Sequence, residues 1–404
     1  MDITSVWEEL AMETGGKILY IVLDGGGGLP DSVKGQTELE YASTPNLDNL
    51  AMESSCGLLE IIGPGITPGS GPGHQALFGY DPLKYRTGRG VLSALGIDFD
   101  LKEGDIAARI NFATVDEDNI ITDRRAGRID TETNKRLCNS LMENIKLEFN
   151  GDLFIKTVSE HRAVLVLRGE ELGGNLHDTD PQKTGAPPAG LNAGDKYSEK
   201  TIKIINDLLV QAKKILADED RANMLLFRGF EKYQPLSDLK KRFRLKGICI
   251  AEYPMYRGIS RMLGMDISSP PDSIEESFKR LTELYGNDYD LYFLHVKQTD
   301  SAGEDANFEK KVKVIEQIDQ MIPIAVNLRP DVIIVTSDHS SPALMGMHSW
   351  HPVPVMINSK YARNDSVLSF NEKSCIEGSL GIRPAIHLMG LALAHAGRLK
   401  KFGA

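Results

Sequence analysis

Three unbroken apolar runs stand out along the chain: Lys17-Ile-Leu-Tyr-Ile-Val-Leu23, Leu291-Tyr-Phe-Leu-His-Val296 and Val332-Ile-Ile-Val335. They are rich in β-branched residues and lack polar alternation, which predicts strands buried on both faces of a mainly parallel sheet covered by helices. Between the second and third runs, Phe308, Val312, Ile315, Ile318 and Ile322 recur at intervals of three and four. That spacing makes one apolar helix stripe, so 291–335 predicts a β–α–β unit. From about Gly104 to Arg242 the pattern changes. Short runs such as Ala107–Phe112 and His161–Leu167 alternate with helical stretches, and a Gly- and Pro-rich loop, Gly173–Gly194, interrupts them. The expectation is an α/β core built from 1–103 and 243–404, with a smaller α+β domain, 104–242, inserted into it.

Composition narrows the functional classes. The 404 residues carry a formal net charge of −11, with 41% hydrophobic and 25% charged residues. An acidic protein of ordinary composition is a poor general binder of nucleic acid or membrane surfaces, so any anionic ligand must meet a local basic cluster. Cys56, Cys138, Cys249 and Cys375 lie far apart and form no metal-binding or redox pair. The first residues lack a basic-then-apolar signal pattern, and no apolar run approaches the roughly 18–20 residues that span a bilayer. These features predict a cytoplasmic protein.

The chemistry gathers where the strands end. The first run leads into Asp24, the second into Asp300 after Lys297-Gln-Thr, and the third into Asp338-His339. Ligands of open α/β sheets bind beyond the carboxyl ends of the strands. Carboxylates converging there repel one another unless divalent cations neutralise them; the alternative is that each Asp caps a following helix. His348, with His351 three residues on as a competitor, is a further candidate ligand. Glu304, four residues beyond Asp300, shares its face if the segment is helical.

Ser70 lies in Thr67-Pro-Gly-Ser-Gly-Pro-Gly-His-Gln-Ala-Leu-Phe-Gly-Tyr-Asp-Pro82. Flanking glycines let the backbone turn sharply, and Ala76-Leu77-Phe78 predicts a helix starting close behind. A serine near a helix N-terminus can serve an anion such as phosphate, and a coordinated metal ion can activate its hydroxyl. A simple N-cap role is the competing reading. Gly25-Gly-Gly-Gly28 precedes no Gly-Lys-Ser/Thr and opens no dinucleotide fingerprint, so it is read as a tight turn after Asp24. Asp123-Arg-Arg-Ala-Gly-Arg128 offers Arg124, Arg125 and Arg128 as an oxyanion clamp, with Arg228 and Arg257 as isolated further candidates. A solvated basic turn is the alternative.

Together these motifs resemble the archaeal-type cofactor-independent phosphoglycerate mutases of the alkaline phosphatase superfamily. The likeness covers nearly the whole chain. It rests on Leu23-Asp24-Gly25, Pro68-Gly-Ser70 running into Gly79-Tyr-Asp-Pro82, Tyr85-Arg-Thr-Gly-Arg-Gly90 and Asp123–Arg128. It continues through Asp178-Thr-Asp-Pro181, Thr299-Asp-Ser-Ala-Gly303, Ser337-Asp-His339 and His348 with Pro352-Val-Pro354. The resemblance implies an alkaline-phosphatase-like fold and interconversion of 3- and 2-phosphoglycerate through a phosphoserine, without bisphosphoglycerate. It implies two divalent ions, one held by Asp24, Ser70, Asp338 and His339, the other by Asp300, residue 304 and His348. It further implies substrate binding by Arg124, Arg125 and Arg128 from an inserted domain acting as a lid, with Asp123 as a proton-transfer candidate. The family's ions are typically manganese, zinc, magnesium or cobalt. Glu304 departs from the family's usual Thr-Asp-x-x-Gly-His, and an oxygen ligand there favours manganese or magnesium over zinc. A homoserine-kinase-like phosphotransferase, a phosphomonoesterase and a non-catalytic metal-binding homologue are the competing readings. Oligomeric state is not legible in the sequence.

Overall fold

The computed structural model describes residues 2–403. The chain divides into two compact units: Met1–Arg86 with Ser237–Ala404, and Thr87–Leu236. The expected bounds were 104 and 242. The second unit starts earlier because helix Arg89–Gly96 packs directly on its sheet; a Cβ on Gly90 would stand 2.4 Å from the backbone of Ala107.

Strands β1 (Ile18–Leu23) and β2 (Ser55–Glu60) precede the second unit. Within it lie β3 (Ile106–Val115), β4 (Ile121–Asp123), β5 (Gly151–Ser159), β6 (Arg162–Gly169) and β7 (Met224–Lys232). The first unit resumes with β8 (Gly247–Ile250), β9 (Asp266–Ile267), β10 (Leu291–Val296), β11 (Val332–Thr336), β12 (Val353–Ser359) and β13 (Gly381–Pro384).

The first unit is built on an eight-stranded sheet in the order β13-β2-β12-β11-β1-β10-β8-β9. The three apolar runs form its centre, with Ile18 aligned to Leu291 on one side and Val332 on the other. Every pairing is parallel except those of β12 with β11 and β2. One face buries Leu19, Ile21, Leu294 and Val335 against Phe278, Ile318 and Ile322, from helices Ile274–Tyr285 and Phe308–Asn327. Truncating a side chain such as Ile318 to Ala is expected to cost about 2–5 kcal/mol. On the other face Tyr20 stacks on Phe78, and Phe78 meets Phe293 edge to face. Burial on both faces explains the unbroken apolar runs. Because β1, β10 and β11 are mutually parallel, the residues that follow them emerge at one edge.

The second unit is a five-stranded antiparallel sheet, β4-β3-β6-β5 with β7 on β3. Helices Thr131–Asn144 and Lys196–Ile215 cover one face through Leu137, Leu141, Ile205 and Leu208. Among the described residues, no helix is long and apolar enough to cross a membrane.

Candidate active site and metal centre

The sheet edge gathers two sets of metal-capable side chains: Asp24, Asp338 and His339, and Asp300, His339 and His348. His339 Nε2 is their hub. It lies 3.1 Å from Asp24 Oδ1, 3.3 Å from Asp338 Oδ2, 4.0 Å from Asp300 Oδ1 and 3.2 Å from Ser70 Oγ. Its ring stacks on His348, with centroids 3.7 Å apart. His348 turns Nδ1 to the Pro68 carbonyl at 3.0 Å and Nε2 to Asp300 Oδ1 at 3.4 Å.

None of these aspartates caps a helix. Asp24 and Asp338 lie in loops, and Asp300 sits inside helix Gln298–Glu304. Ser70 is the first residue of helix Ser70–Leu77; Gly69 holds the cap position, with no side-chain cap bond. The serine hydroxyl is buried and faces His339 instead of its own backbone. Two glycines make the crowding feasible. Gly25 has a φ of +59°, and a Cβ there would lie 2.8 Å from Asp300 Oδ1. A Cβ on Gly73 would strike the Asp338 carbonyl at 2.3 Å.

The donor set fits a divalent ion. Asp24 Oδ1 and Asp338 Oδ2 are buried without a hydrogen-bond partner, although a buried carboxylate oxygen ordinarily has one. His339 Nε2 carries at most one proton and cannot satisfy both, and His74 Nδ1, 3.2 Å from Asp338 Oδ2, lies closer to the Ser70 carbonyl at 2.8 Å. Oxygen and nitrogen ligands bound at about 2.0–2.2 Å stand roughly 3.0–3.4 Å apart around one ion. The Asp24–His339 and Asp338–His339 separations fall in that range. Glu304 stands at the rim, half-exposed, with Oε1 3.7 Å from His348 Nε2. His351 belongs to neither set; its Nδ1 meets Ser349 Oγ at 3.1 Å and its ring stacks on Trp350.

Sequence reasoning missed the groups packed around these residues. Lys297 Nζ lies 3.3 Å from Asp24 Oδ2 and pairs with Asp300. Burial opposes its charge, but Asp24 and Asp300 raise its pKa well above the ordinary lysine value. Burial also opposes ionisation of Asp300, yet His348 and Lys297 bring its pKa down to about 2. His348 is driven up to about 9, against its burial, chiefly by Asp300. Asp24, buried as it is, is held well below the carboxylate range by Lys297, His295 and His339. Tyr256 hydrogen-bonds Asp24 through its hydroxyl and stacks on His295. His74 reaches the Ser70 carbonyl at 2.8 Å and Asp338 Oδ2 at 3.2 Å. Ser341 Oγ bonds Asp300 Oδ1 at 2.5 Å and His339 Nδ1 at 3.2 Å. A histidine at the end of an apolar strand and a lysine three residues before Asp300 were the available signals.

In the second unit the Asp123 carboxylate accepts the N–H groups of Arg125 (2.7 Å) and Gly127 (2.6 Å), pinning the arginine turn. Arg124 makes a two-pronged pair with Asp180, both contacts at 2.8 Å. Arg228 Nε stands 3.7 Å from both Asp178 and Asp180. Register adds arginines that the sequence reading passed over. Asn111 lies opposite Arg162, and Arg109 opposite Arg228, so these four share one face of the sheet. Beside them is His161, fully buried; burial and the charges of Arg162, Arg109, Arg125 and Arg128 lower its pKa to about 3. Arg257 is not part of this face. It lies in the first unit and donates to the Ser268 carbonyl at 2.8 Å.

Fold and site define a class first: an α/β protein with a serine set among candidate metal-binding groups at the parallel edge of its sheet. Residues 51–221 match the family model described as 2,3-bisphosphoglycerate-independent phosphoglycerate mutase. A Thermus thermophilus protein named a probable 2,3-bisphosphoglycerate-independent phosphoglycerate mutase is 48% identical over the whole of both chains. A Thermotoga maritima protein of the same name is 47% identical over 98% of each. The solved cofactor-independent phosphoglycerate mutase of Thermoplasma acidophilum is 31% identical, with a TM-score of 0.70 over 95% of this chain and 100% of that one. A Pyrococcus horikoshii protein is 29% identical, with a TM-score of 0.82 over 96% of this chain and 100% of that one. The chain belongs to the 2,3-bisphosphoglycerate-independent phosphoglycerate mutase family.

Proposed function

We propose that this chain interconverts 3-phosphoglycerate and 2-phosphoglycerate without bisphosphoglycerate, in the cytoplasm, using Ser70 as transient phosphoryl carrier. The observation that supports it best is the position of Ser70 Oγ, 3.2 Å from His339 Nε2 and at the first residue of a helix. Free N–H groups at that end favour an incoming phosphoryl group.

Asp24, Asp338, His339 and Ser70 would hold one divalent ion. A single His339 Nε2 serves only one ion, which leaves Asp300, His348 and rim-standing Glu304 for a second. Bound ions would lower the pKa of the serine hydroxyl and offset charge on the phosphoryl oxygens. The oxygen-rich second set favours manganese, with magnesium, zinc or cobalt as alternatives. Ser70 Oγ forms a bond to phosphorus as the bond from phosphorus to the glycerate oxygen breaks, and the proton given up by Ser70 ends on that glycerate oxygen, leaving free glycerate. The other glycerate hydroxyl then attacks the phosphoserine phosphorus as the Ser70 Oγ–P bond breaks, and its proton returns to Ser70 Oγ. Lys297, cationic between Asp24 and Asp300, restrains their mutual repulsion. The second unit is proposed to bind substrate: Arg109, Arg125, Arg128 and Arg162 provide a face suited to a carboxylate or phosphate. Arg124 and Arg228, held by Asp178 and Asp180, stiffen that face. Asp123 fixes the turn presenting Arg125 and Arg128, and that is the role we assign it. Arg257, tied to Ser268, is not assigned to the substrate.

The test is conversion of 3-phosphoglycerate coupled to enolase, with added Mn²⁺ and no bisphosphoglycerate. Activity is expected with metal and lost with chelator; activity that persists in Ser70→Ala would overturn the proposal.

A further inference from the structure

Beneath the metal-capable edge lies a second set of buried charges with no place in the chemistry above. Lys311, on helix Phe308–Asn327, is fully buried, as is Glu38. A buried ammonium is costly unless its hydrogens are all accepted. Lys311 Nζ donates to the Gly27 carbonyl and to the Ser341 carbonyl, each at 2.9 Å, and stands 3.8 Å from Glu38 Oε1. Glu38 in turn accepts the Ala343 N–H at 2.7 Å. Glu372 accepts the Gly28 N–H and the Thr37 hydroxyl, each at 2.7 Å.

These bonds join two loops. One, Gly25–Gly28, follows Asp24; the other, His339–Ala343, follows Asp338. Ser341 is the link to the site: Lys311 takes its carbonyl, while its hydroxyl touches both Asp300 and His339. A Cβ on Gly28 would fall 1.9 Å from Glu38 Oε2, so the loop is seated directly against the acid. An aliphatic residue at 311 would fill the space and hold neither carbonyl.

We propose that Lys311 is a positioning residue: its two carbonyl bonds set the spacing between the Asp24 loop and the His339 loop, and so the metal affinity of the edge. This rests on the metal-binding reading given above. Glu38 and Glu372 offset its charge and accept the Ala343 and Gly28 N–H groups of the same loops.

The test separates positioning from charge and from folding. Mn²⁺ affinity is measured by calorimetric titration of the full chain, beside the thermal midpoint, for wild type, Glu38→Gln, Lys311→Met with Glu38→Gln, and Lys311→Arg. Glu38→Gln keeps the lysine bonds, and its Mn²⁺ affinity is expected to stay within about twofold. The double variant removes the charge imbalance together with the bonds; its Mn²⁺ affinity is expected to fall at least about tenfold while it still melts cooperatively. Lys311→Arg keeps the charge, and its planar fork fits the pair of carbonyls poorly, so a fall of about fivefold is expected. Wild-type affinity in the double variant would overturn the role of Lys311, as would an equal loss in Glu38→Gln. Failure of both Lys311 variants to fold would overturn it too, by making the lysine a folding residue. Wild-type protein that binds no Mn²⁺ would sink the metal reading itself, a distinct outcome.

Discussion

The two units solve the same problem, gathering like charges, in opposite ways. At the sheet edge of the first, carboxylates and histidines are buried, and parallel strand ends bring together residues hundreds of positions apart. On the face of the second, arginines remain partly open to solvent and come together through antiparallel register and one pinned turn. Buried acids need compensation from Lys297 and the histidines, and two oxygens still lack partners. Arg124 and Arg228, the more buried of these arginines, are paired by Asp178 and Asp180, whereas Arg125 and Arg128 stand exposed to water. The first arrangement suits a resident cation; the second suits a ligand that comes and goes.

The comparison breaks most severely if Ser70 is dispensable. Ser70→Ala is expected to lower kcat roughly 10⁵-fold, the scale of losing a nucleophile, with the fold unchanged by circular dichroism. The arginine face should show smaller losses, expressed in substrate use. Arg162→Ala is expected to reduce kcat/KM about 10- to 100-fold, the worth of one charge-assisted hydrogen bond, and to leave Mn²⁺ affinity unchanged. A parallel drop in Mn²⁺ affinity would erase the distinction between the regions. Glu304→His is expected to tighten Zn²⁺ binding about tenfold in a competitive titration by exchanging an oxygen for a nitrogen ligand. An unchanged zinc affinity would remove Glu304 from the second set.

The smallest effect concerns His161. Its pKa in the fold, about 3, lies below the unfolded value near 6.5, so the buried ring stays neutral while the unfolded chain takes up a proton. Its contribution to stability is therefore present above about pH 6.5 and lost as pH falls toward 3, at no more than about 1.4 kcal/mol per pH unit. The His161 ring signals in NMR are expected not to move between pH 7.5 and 4.5. Titration near pH 6.5 would show that neither burial nor the neighbouring arginines disfavour the charged ring.

Much of the first unit was legible because its signals are local. Continuous apolar runs marked β1, β10 and β11, and an acid after each run marked the edge. The place of Ser70 at a helix start was legible from its glycines and from the apolar residues of the helix behind it. His74, His295 and Ser341 escaped because a single buried polar residue looks alike whether it packs or supports a site. Arg109 and Arg162 escaped for another reason: one strand register decides whether two arginines share a face. Lys311 sat in view on the apolar helix stripe, where a lysine reads as solvent-facing until its partner carbonyls are known. The start of the second unit at Thr87 was hidden because helix Arg89–Gly96 carries no boundary signal of its own.

The central claim, that Ser70 carries the phosphoryl group, is tested most directly by rapid-quench mass spectrometry. Protein and Mn²⁺ are mixed with 3-phosphoglycerate, quenched in acid within milliseconds, and the peptide containing Ser70 is sequenced. Phosphoserine at position 70, formed at least as fast as turnover and absent with chelator, is the predicted result. Turnover with no phosphate on Ser70, or with phosphate on another residue, would contradict the account.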